Sequence, residues 1–470
     1  MKKKLLTTAM LAALGGVGTA HAVNVNPDGL GQVLLFPYYT VQNGFVTSVH
    51  ITNTTSQTKA VKVRFLEGKN SREVLDFNLY LSPYDVWAGR VIGDETGAAR
   101  LQTVDTSCIT PRYLASAGEP FRRFEFVGDS VSEIERTREG YVEVIEMGTL
   151  DPDTPPGSYA VHDATGVPDS CTDLVAAENS GSVSSNISAP TGGLFGSGHL
   201  IAVNSGIRTS YDAVALDDFL DTAVWTGPGS LSPSLASVNT FATVVDGDEL
   251  YTDLGEVGGR PIIDRVSALL MKSSINNEYA IDAFRAAKTD WVVTFPTKRF
   301  YVNSSPVEPF SSPWSSTSSR SCDDITFEYW DREEQGRTPQ GGDFSPQPEI
   351  QGFQLCNEVN TLTLHRDGTD ADDHRLFGAE YTAAALAIEN GFDAGWMQMG
   401  FTSDPIHQIV MDDGAGSLVT FAGLPVIGFA AMSAVNSVSV EVDGLTVYSA
   451  YMGSLVHKNE KMITSAPATP

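Results

Sequence analysis

The densest run of ion-binding groups in the chain is His365-Arg366-Asp367-Gly368-Thr369-Asp370-Ala371-Asp372-Asp373-His374. Calcium takes roughly six to eight oxygens, and closely spaced aspartates around a glycine turn supply donors of that kind. Asp367, Asp370, Asp372 and Asp373 are the expected calcium ligands. The loop is not an EF-hand, because the twelfth position counted from Asp367 is Gly378 and not Glu. A plain solvated acidic turn is the competing reading. His365 and His374 add two imidazoles, a donor set for a transition metal, but without the ordered spacing of a zinc motif. Asp246-Gly247-Asp248-Glu249 and Asp412-Asp413-Gly414 are weaker versions of the acidic loop.

Nucleophilic catalysis finds little support. A serine hydrolase raises its serine on a sharp turn between small residues, as in GxSxG. Gly196-Ser197-Gly198-His199 lacks that spacing, and a serine and histidine so close in sequence are poorly placed to pair. A glycine loop leading into a strand at His199 to Asn204 is the better account. The HExxH pattern of metalloproteases is absent, as are a phosphate loop, GxGxxG and CxxCH, so no organic cofactor is expected. Phe327-Glu328-Tyr329-Trp330-Asp331, with Trp314 upstream, mixes aromatics and acids as sugar sites do. An aromatic strand covering a core has the same pattern.

The address of the chain narrows the chemistry. Met1 to Ala22 has three lysines, a short apolar stretch and the small-x-small site Ala20-His21-Ala22, which is the order of a cleaved secretory signal. The apolar run is too short to anchor the chain, since a spanning helix needs about 20 apolar residues. After Ala22 there are 27 basic and 58 acidic side chains, a formal charge of −31. A surface this negative repels nucleic acid and anionic lipid. Cys108, Cys171, Cys322 and Cys356 are an even set in an oxidising compartment, which points to two disulfides. The favoured pairing is Cys108–Cys171 and Cys322–Cys356, because each pair then closes a polar stretch with little core of its own.

The positioning elements read as mainly β: an antiparallel β-sandwich with a few short helices and long polar loops. Phe45 to Ile51, Val61 to Phe65 and Leu75 to Leu81 alternate apolar and polar residues between turn sequences, the pattern of a meander with one wet face. Val33 to Tyr39 precedes them. Partial helical spacing occurs over Ala213 to Thr222 and Ile262 to Lys272, with a better apolar stripe over Asn276 to Lys288. Trp291 to Phe295, Thr361 to Leu364, Trp396 to Phe401 and Leu418 to Phe421 are expected strands, and Val438 to Tyr451 a hairpin turning at Asp443-Gly444. The expected divisions are a signal at 1–22, a sandwich-like domain at 23–150, a linker or long insertion at 151–193, and a second β-rich domain at 194–470 with an irregular excursion at 304–347.

These readings favour an exported, non-enzymatic structural or interaction protein of the envelope or medium, acting through protein partners or self-association. A secreted hydrolase on a β-sandwich and a carbohydrate-binding module are the alternatives. The uncharged stretch Leu418 to Ala434, with Leu418, Val419, Phe421, Val426, Ile427 and Phe429, is the expected assembly strand if any of it is exposed.

Overall fold

A computed structural model describes residues 22–111, 118–303, 307–338, 353–442 and 445–468, with 436–442 and 445–448 described by backbone alone. The export signal up to His21, the turn Asp443-Gly444 and parts of the 304–347 excursion lie outside the described residues. Strands are labelled in chain order as they are needed. The N-terminal half contains β1 (Val33–Thr40), β2 (Phe45–Asn53), β3 (Thr58–Glu67), β4 (Glu73–Leu81), β5 (Val86–Gly93), β6 (Glu139–Leu150), β7 (Leu194–Ala202) and β8 (Ile207–Asp212). The first two helices used below are α1 (Cys171–Asn179) and α2 (Ser182–Asn186).

β-Branched and aromatic residues at every second position build two facing sheets here. One carries β1, β6, β3 and β4 side by side; the other carries β8, β7, β2 and β5. Val61, Val63, Phe65, Phe77, Val142 and Val144 of the first meet Val49, Ile51, Trp87 and Val91 of the second in one core. The alternation in β2 gives the expected half-wet face, with Phe45, Thr47, Val49 and Ile51 inward. The three runs are not a meander, however. β2 pairs with β5 and β7 in one sheet, whereas β3 and β4 form a hairpin in the other.

The second departure is the polar face of β3 and β4, which is buried. Residues 225–231 run across it. Lys62 Nζ donates to the Gly227 carbonyl, Asn78 Nδ2 to that of Thr226, and the Gly229 N–H to Asp76 Oδ2. Charges cross the strands in pairs: Lys62–Asp76 at 3.3 Å, Arg64–Glu73 at 2.6 Å and Arg64–Glu143 at 3.0 Å. Period two shows which side of a strand is polar; it cannot show that the polar side is covered.

The segment 151–193 packs against the first sheet. α1 and α2 pack on β3, β4 and β6 through Ala60, Tyr80, Met147, Leu174 and Val183. Cys171 is bonded to Cys108. The chain then re-enters the first sandwich, where β7 pairs with β2 from Leu194↔Asn53 to Ala202↔Phe45. A boundary at 193/194 therefore cuts through one sheet.

The C-terminal half begins with α3 (Asp264–Leu270), then β9 (Ser274–Ala280), β10 (Lys288–Thr294), β11 (Asp323–Asp331), β12 (Phe353–Leu355), β13 (Val359–Arg366), β14 (Ala383–Ile388), β15 (Ala394–Gly400), β16 (Ser417–Ala422), β17 (Ile427–Val442), β18 (Leu445–Val456) and β19 (Met462–Pro467). β14, β13, β10, β17 and β18 form one sheet, and β11, β15 and β9 the middle of another. The expected helix over Asn276 to Lys288 is replaced by β9, a short 3-10 turn at Ala283–Arg285 and the start of β10. β9 is claimed on both edges, by β15 and by residues 458–460, so ladder bonds override a weak helical stripe. Ala213 to Thr222 likewise contains the strand Val214–Asp217, while Ile262 to Lys272 does contain α3.

The halves are joined through polar contacts. Glu139 Oε2 accepts the N–H groups of Glu380, Tyr381 and Thr382 at 3.1, 2.8 and 3.3 Å. Thr294 Oγ1 donates to the Pro37 carbonyl at 2.6 Å. The second disulfide, Cys322–Cys356, ties β11 to the residue after β12. Serine at both positions is expected to cost about 2–4 kcal/mol in urea unfolding. A loss below about 1 kcal/mol would mean that the β11–β12 ladder alone holds this region.

Candidate functional site

The acidic loop does not gather its carboxylates. Asp370 Oδ1 caps a turn by accepting the Asp372 N–H at 3.0 Å, and Asp372 Oδ1 pairs with Arg375 at 2.7 Å. Lys288 Nζ donates to the backbone carbonyl of Asp373, and the Asp367 N–H to that of Ile388. His365 and His374 do come together, with ring centroids 6.3 Å apart. Burial and then the neighbouring His365 hold the His374 imidazole below its ordinary value. Among the described residues, no three His, Cys, Asp or Glu side chains form a group able to hold a metal ion.

Ser197 and His199, expected not to pair, do so, with Oγ 3.2 Å from Nε2. Both sit on β7, where residues two apart share a face. β2 repeats the arrangement with Ser48 and His50 at 3.0 Å, and the two imidazoles lie 4.7 Å apart. A serine on a flat strand lacks the raised turn that a nucleophile needs. The structure also brings together Ser311 and His407, 2.9 Å apart, which are remote in sequence. Asp404 Oδ2 is equally close to the Ser311 hydroxyl, so it competes with the imidazole for the single proton. The Ser311 N–H donates to Asp323, which also pairs with Lys298 at 2.6 Å. His407, Asp323 and Lys298 are buried. This network clasps three loops together.

The aromatic strand is confirmed in register but not as a flat platform. Phe327 and Tyr329 face the core, and Trp330 stacks on Trp396 with centroids 4.0 Å apart. Each ring therefore uses one face on the other. Trp330 also lies over Gly336, where a Cβ would come within 2.7 Å of the indole nitrogen.

The expected assembly residues belong to the chain's own core. Val419, Phe421, Val426, Ile427 and Phe429 are buried, and Leu418 half-buried. β16 is paired on both sides, by residues 408–412 and by β19; β17 is paired by β10 and β18. These residues offer no exposed strand. An open edge occurs elsewhere. β14 reads Ala-Ala-Ala-Leu-Ala-Ile, runs parallel to β13, and ends its sheet among the described residues. The carbonyls of Thr382 and Ile388 accept from β13-side groups, so the alternating Ala383, Ala385 and Ala387 turn their N–H and C=O outward. Ala385 and Ala387 are exposed, and Leu386 and Ile388 buried.

Cationic donors gather at the polar end of the β3–β4 hairpin. A cleft of about 300 Å3 is lined by Arg64, Arg72 and Arg299, with Asn70, Ser71, Glu73 and Asn303. Its wall is the turn 68–72. The buried Glu67 carboxylate holds that turn by accepting the N–H groups of Lys69, Asn70 and Arg72 at 2.7, 2.9 and 3.0 Å. Ser71 sits at φ 50°, a left-handed conformation rare for a residue with a Cβ. Burial pushes the Glu73 carboxyl up to about 7; Arg64 opposes and Asp76 reinforces the shift. Sequence reasoning had no signal for this cleft, because Arg299 is remote in sequence from Arg64 and Arg72 of the hairpin.

No family model, no curated protein and no solved structure matches the chain. Among the described residues no helix is long and apolar enough to cross a membrane.

Proposed function

We propose that this is an exported, non-enzymatic structural protein that associates with further copies of itself by strand addition at β14. The open edge of β14 carries the reading. It is six residues long, without charge, proline or bulge, the features by which sheet edges are ordinarily protected. The short edge strand Lys458–Glu460, by contrast, carries charges.

A second copy is the occupant that fits best. A chain with a formal charge of −31 repels its own kind unless the meeting surfaces lack charge locally, and β14 is such a surface. Two β14 strands related by a two-fold axis would pair antiparallel, with only alanine methyls between them. The flanking Glu389 is neutralised by Arg337 at 2.8 Å. The two disulfides suit an oxidising address.

Sedimentation and electron microscopy of the purified protein test the reading, with Ala385→Lys and Ala385→Pro beside the wild type. Proline at 385 removes an outward N–H and leaves the bonds to β13 in place. The expected result is association of the wild type and monomers of both variants. A monomeric wild type, or variants that assemble equally well, would overturn the proposal. Loss of assembly by lysine but not proline would also overturn it, because association would then not use the backbone edge.

A further inference from the structure

We propose that the cleft walled by Arg64, Arg72 and Arg299 binds a small oxyanion, the shared chemistry of sulfate, phosphate and carboxylate groups. In a chain this acidic, a site for a free anion requires cations gathered locally. Guanidinium forks match the spacing of paired oxygens, and three converge here. Their donors are unequally used. Arg64 is spent on Glu73, Glu143 and the Ser230 carbonyl. Arg299 makes only long contacts, at 3.3 Å to Glu143 Oε2 and 3.4 Å to the Ser71 carbonyl. The Arg72 Nε is buried without a partner. A buried N–H left unpaired is costly, and an acceptor oxygen in the cleft would satisfy it.

The walls suit the same ligand. Asn70 and Asn303 donate to each other at 3.4 and 3.3 Å, and Asn303 also donates to the Arg299 carbonyl at 3.0 Å, which fixes this wall of the cleft. The Arg299 guanidinium lies 4.6 Å from the Phe300 ring centre, which fixes its plane. The volume of about 300 Å3 is at the small end for ligand sites. The strained Ser71 marks a turn held in place by its surroundings, since its hydroxyl accepts from Tyr141 at 2.9 Å.

Glu73 makes the site pH-dependent. Lys62, Arg64, Asp76 and Arg299 act on its carboxyl, and Glu125 lines the same cleft. Ionised, Glu73 places a negative charge on the cleft wall that repels an anionic ligand; protonated, it does not. Binding should therefore weaken as pH rises through about 7.

Calorimetric titration of the full mature chain with sodium sulfate tests this, since sulfate keeps its charge across the range. Sodium chloride at matched ionic strength controls for screening. The expected result is saturable binding of one sulfate, weakening about tenfold between pH 6 and pH 8. Arg72→Gln, a change at a half-exposed side chain, should lose at least about tenfold in affinity. Glu73→Gln should keep binding and flatten the pH dependence. Equal responses to sulfate and chloride, or wild-type affinity in Arg72→Gln, would overturn the site. Unchanged pH dependence in Glu73→Gln would overturn the role of that carboxyl. None of these readouts depends on assembly through β14.

Discussion

Arg136→Met is expected to destabilise the protein by about 3–5 kcal/mol, because it strands two buried carboxylates. The Arg136 guanidinium is wholly buried. It donates to both oxygens of Glu67 at 2.7 Å and to Asp129 Oδ2 at 2.8 Å. Its carbon lies 4.3 Å from the Phe126 ring centre, and Trp314 closes the shell by donating to Asp129 Oδ1 at 3.0 Å. Methionine fills much of the volume but pairs with neither acid. The cost is therefore the desolvation of uncompensated charge, which exceeds the net worth of the intact pair.

The pH dependence distinguishes this cause from lost packing. Burial alone would raise the Glu67 carboxyl, yet Arg136 and the backbone N–H groups hold it below its ordinary 4.5. A carboxylate with a depressed folded value contributes stability above its unfolded value and loses it as pH falls through the folded one. The wild type should thus lose this contribution below about pH 4.5, and Arg136→Met should lack that part of the acid transition. The double variant Glu67→Gln/Arg136→Met should recover stability relative to Arg136→Met. A single-variant loss below about 1 kcal/mol in denaturant unfolding would refute the account. Glu67 also organises the turn 68–72, so Arg136→Met is expected to weaken sulfate binding without touching the ligand.

The same residues show what a sequence reveals and what it hides. Phe45, Thr47, Val49 and Ile51 repeat at period two because one strand face must meet a core, and that rule is local. The disulfide pairing Cys108–Cys171 and Cys322–Cys356 is the expected one, but the expectation that each bridge closes a segment with little core fails, because the first closes a segment that contains the wholly buried strand β6. Lys62, Arg64 and Asp76 obey the same alternation, yet their face is covered by residues 225–231, more than a hundred positions away. Nothing in the spacing of a strand announces such a cover. Tyr279 fits a helix and a strand equally well, and its pairing with Gly395 of β15 decided for the strand. Leu418 to Phe421 lies in a strand as expected, but the lack of charge over Leu418 to Ala434 could not separate an exposed edge from a buried one. The arginine cleft joins positions 64, 72 and 299, and only the folded sheet brings them within reach.

Glu358 carries the second large effect, and its sign is the reverse of Glu67. Its side chain is buried after the second disulfide, and neither carboxylate oxygen has a partner in good hydrogen-bond geometry. Burial pushes its carboxyl up to about 8, against the opposing pull of Lys298, Ser71 and Arg299. The unfolded chain releases this proton near 4.5, so between the two values the folded protein holds the extra proton. Stability must then fall as pH rises from about 5 to about 8, by about 3–5 kcal/mol from this group alone. Glu358→Gln keeps the shape and cannot ionise. It is expected to match the wild type near pH 5 and to exceed it by about that amount near pH 8, in urea unfolding at each pH. The comparison is made as a difference between the two proteins, because Asp290, raised to about 6, and Glu73, raised to about 7, add slopes common to both. A difference that stays constant with pH would mean that Glu358 is ionised and paired when folded. An acid kept neutral by burial beside Lys298 and Arg299 sits beneath the same turn that presents Ser71 to the cleft. Its ionisation at high pH would add a negative charge near Arg299, so Glu358→Gln should also make sulfate binding less sensitive to pH above about 8.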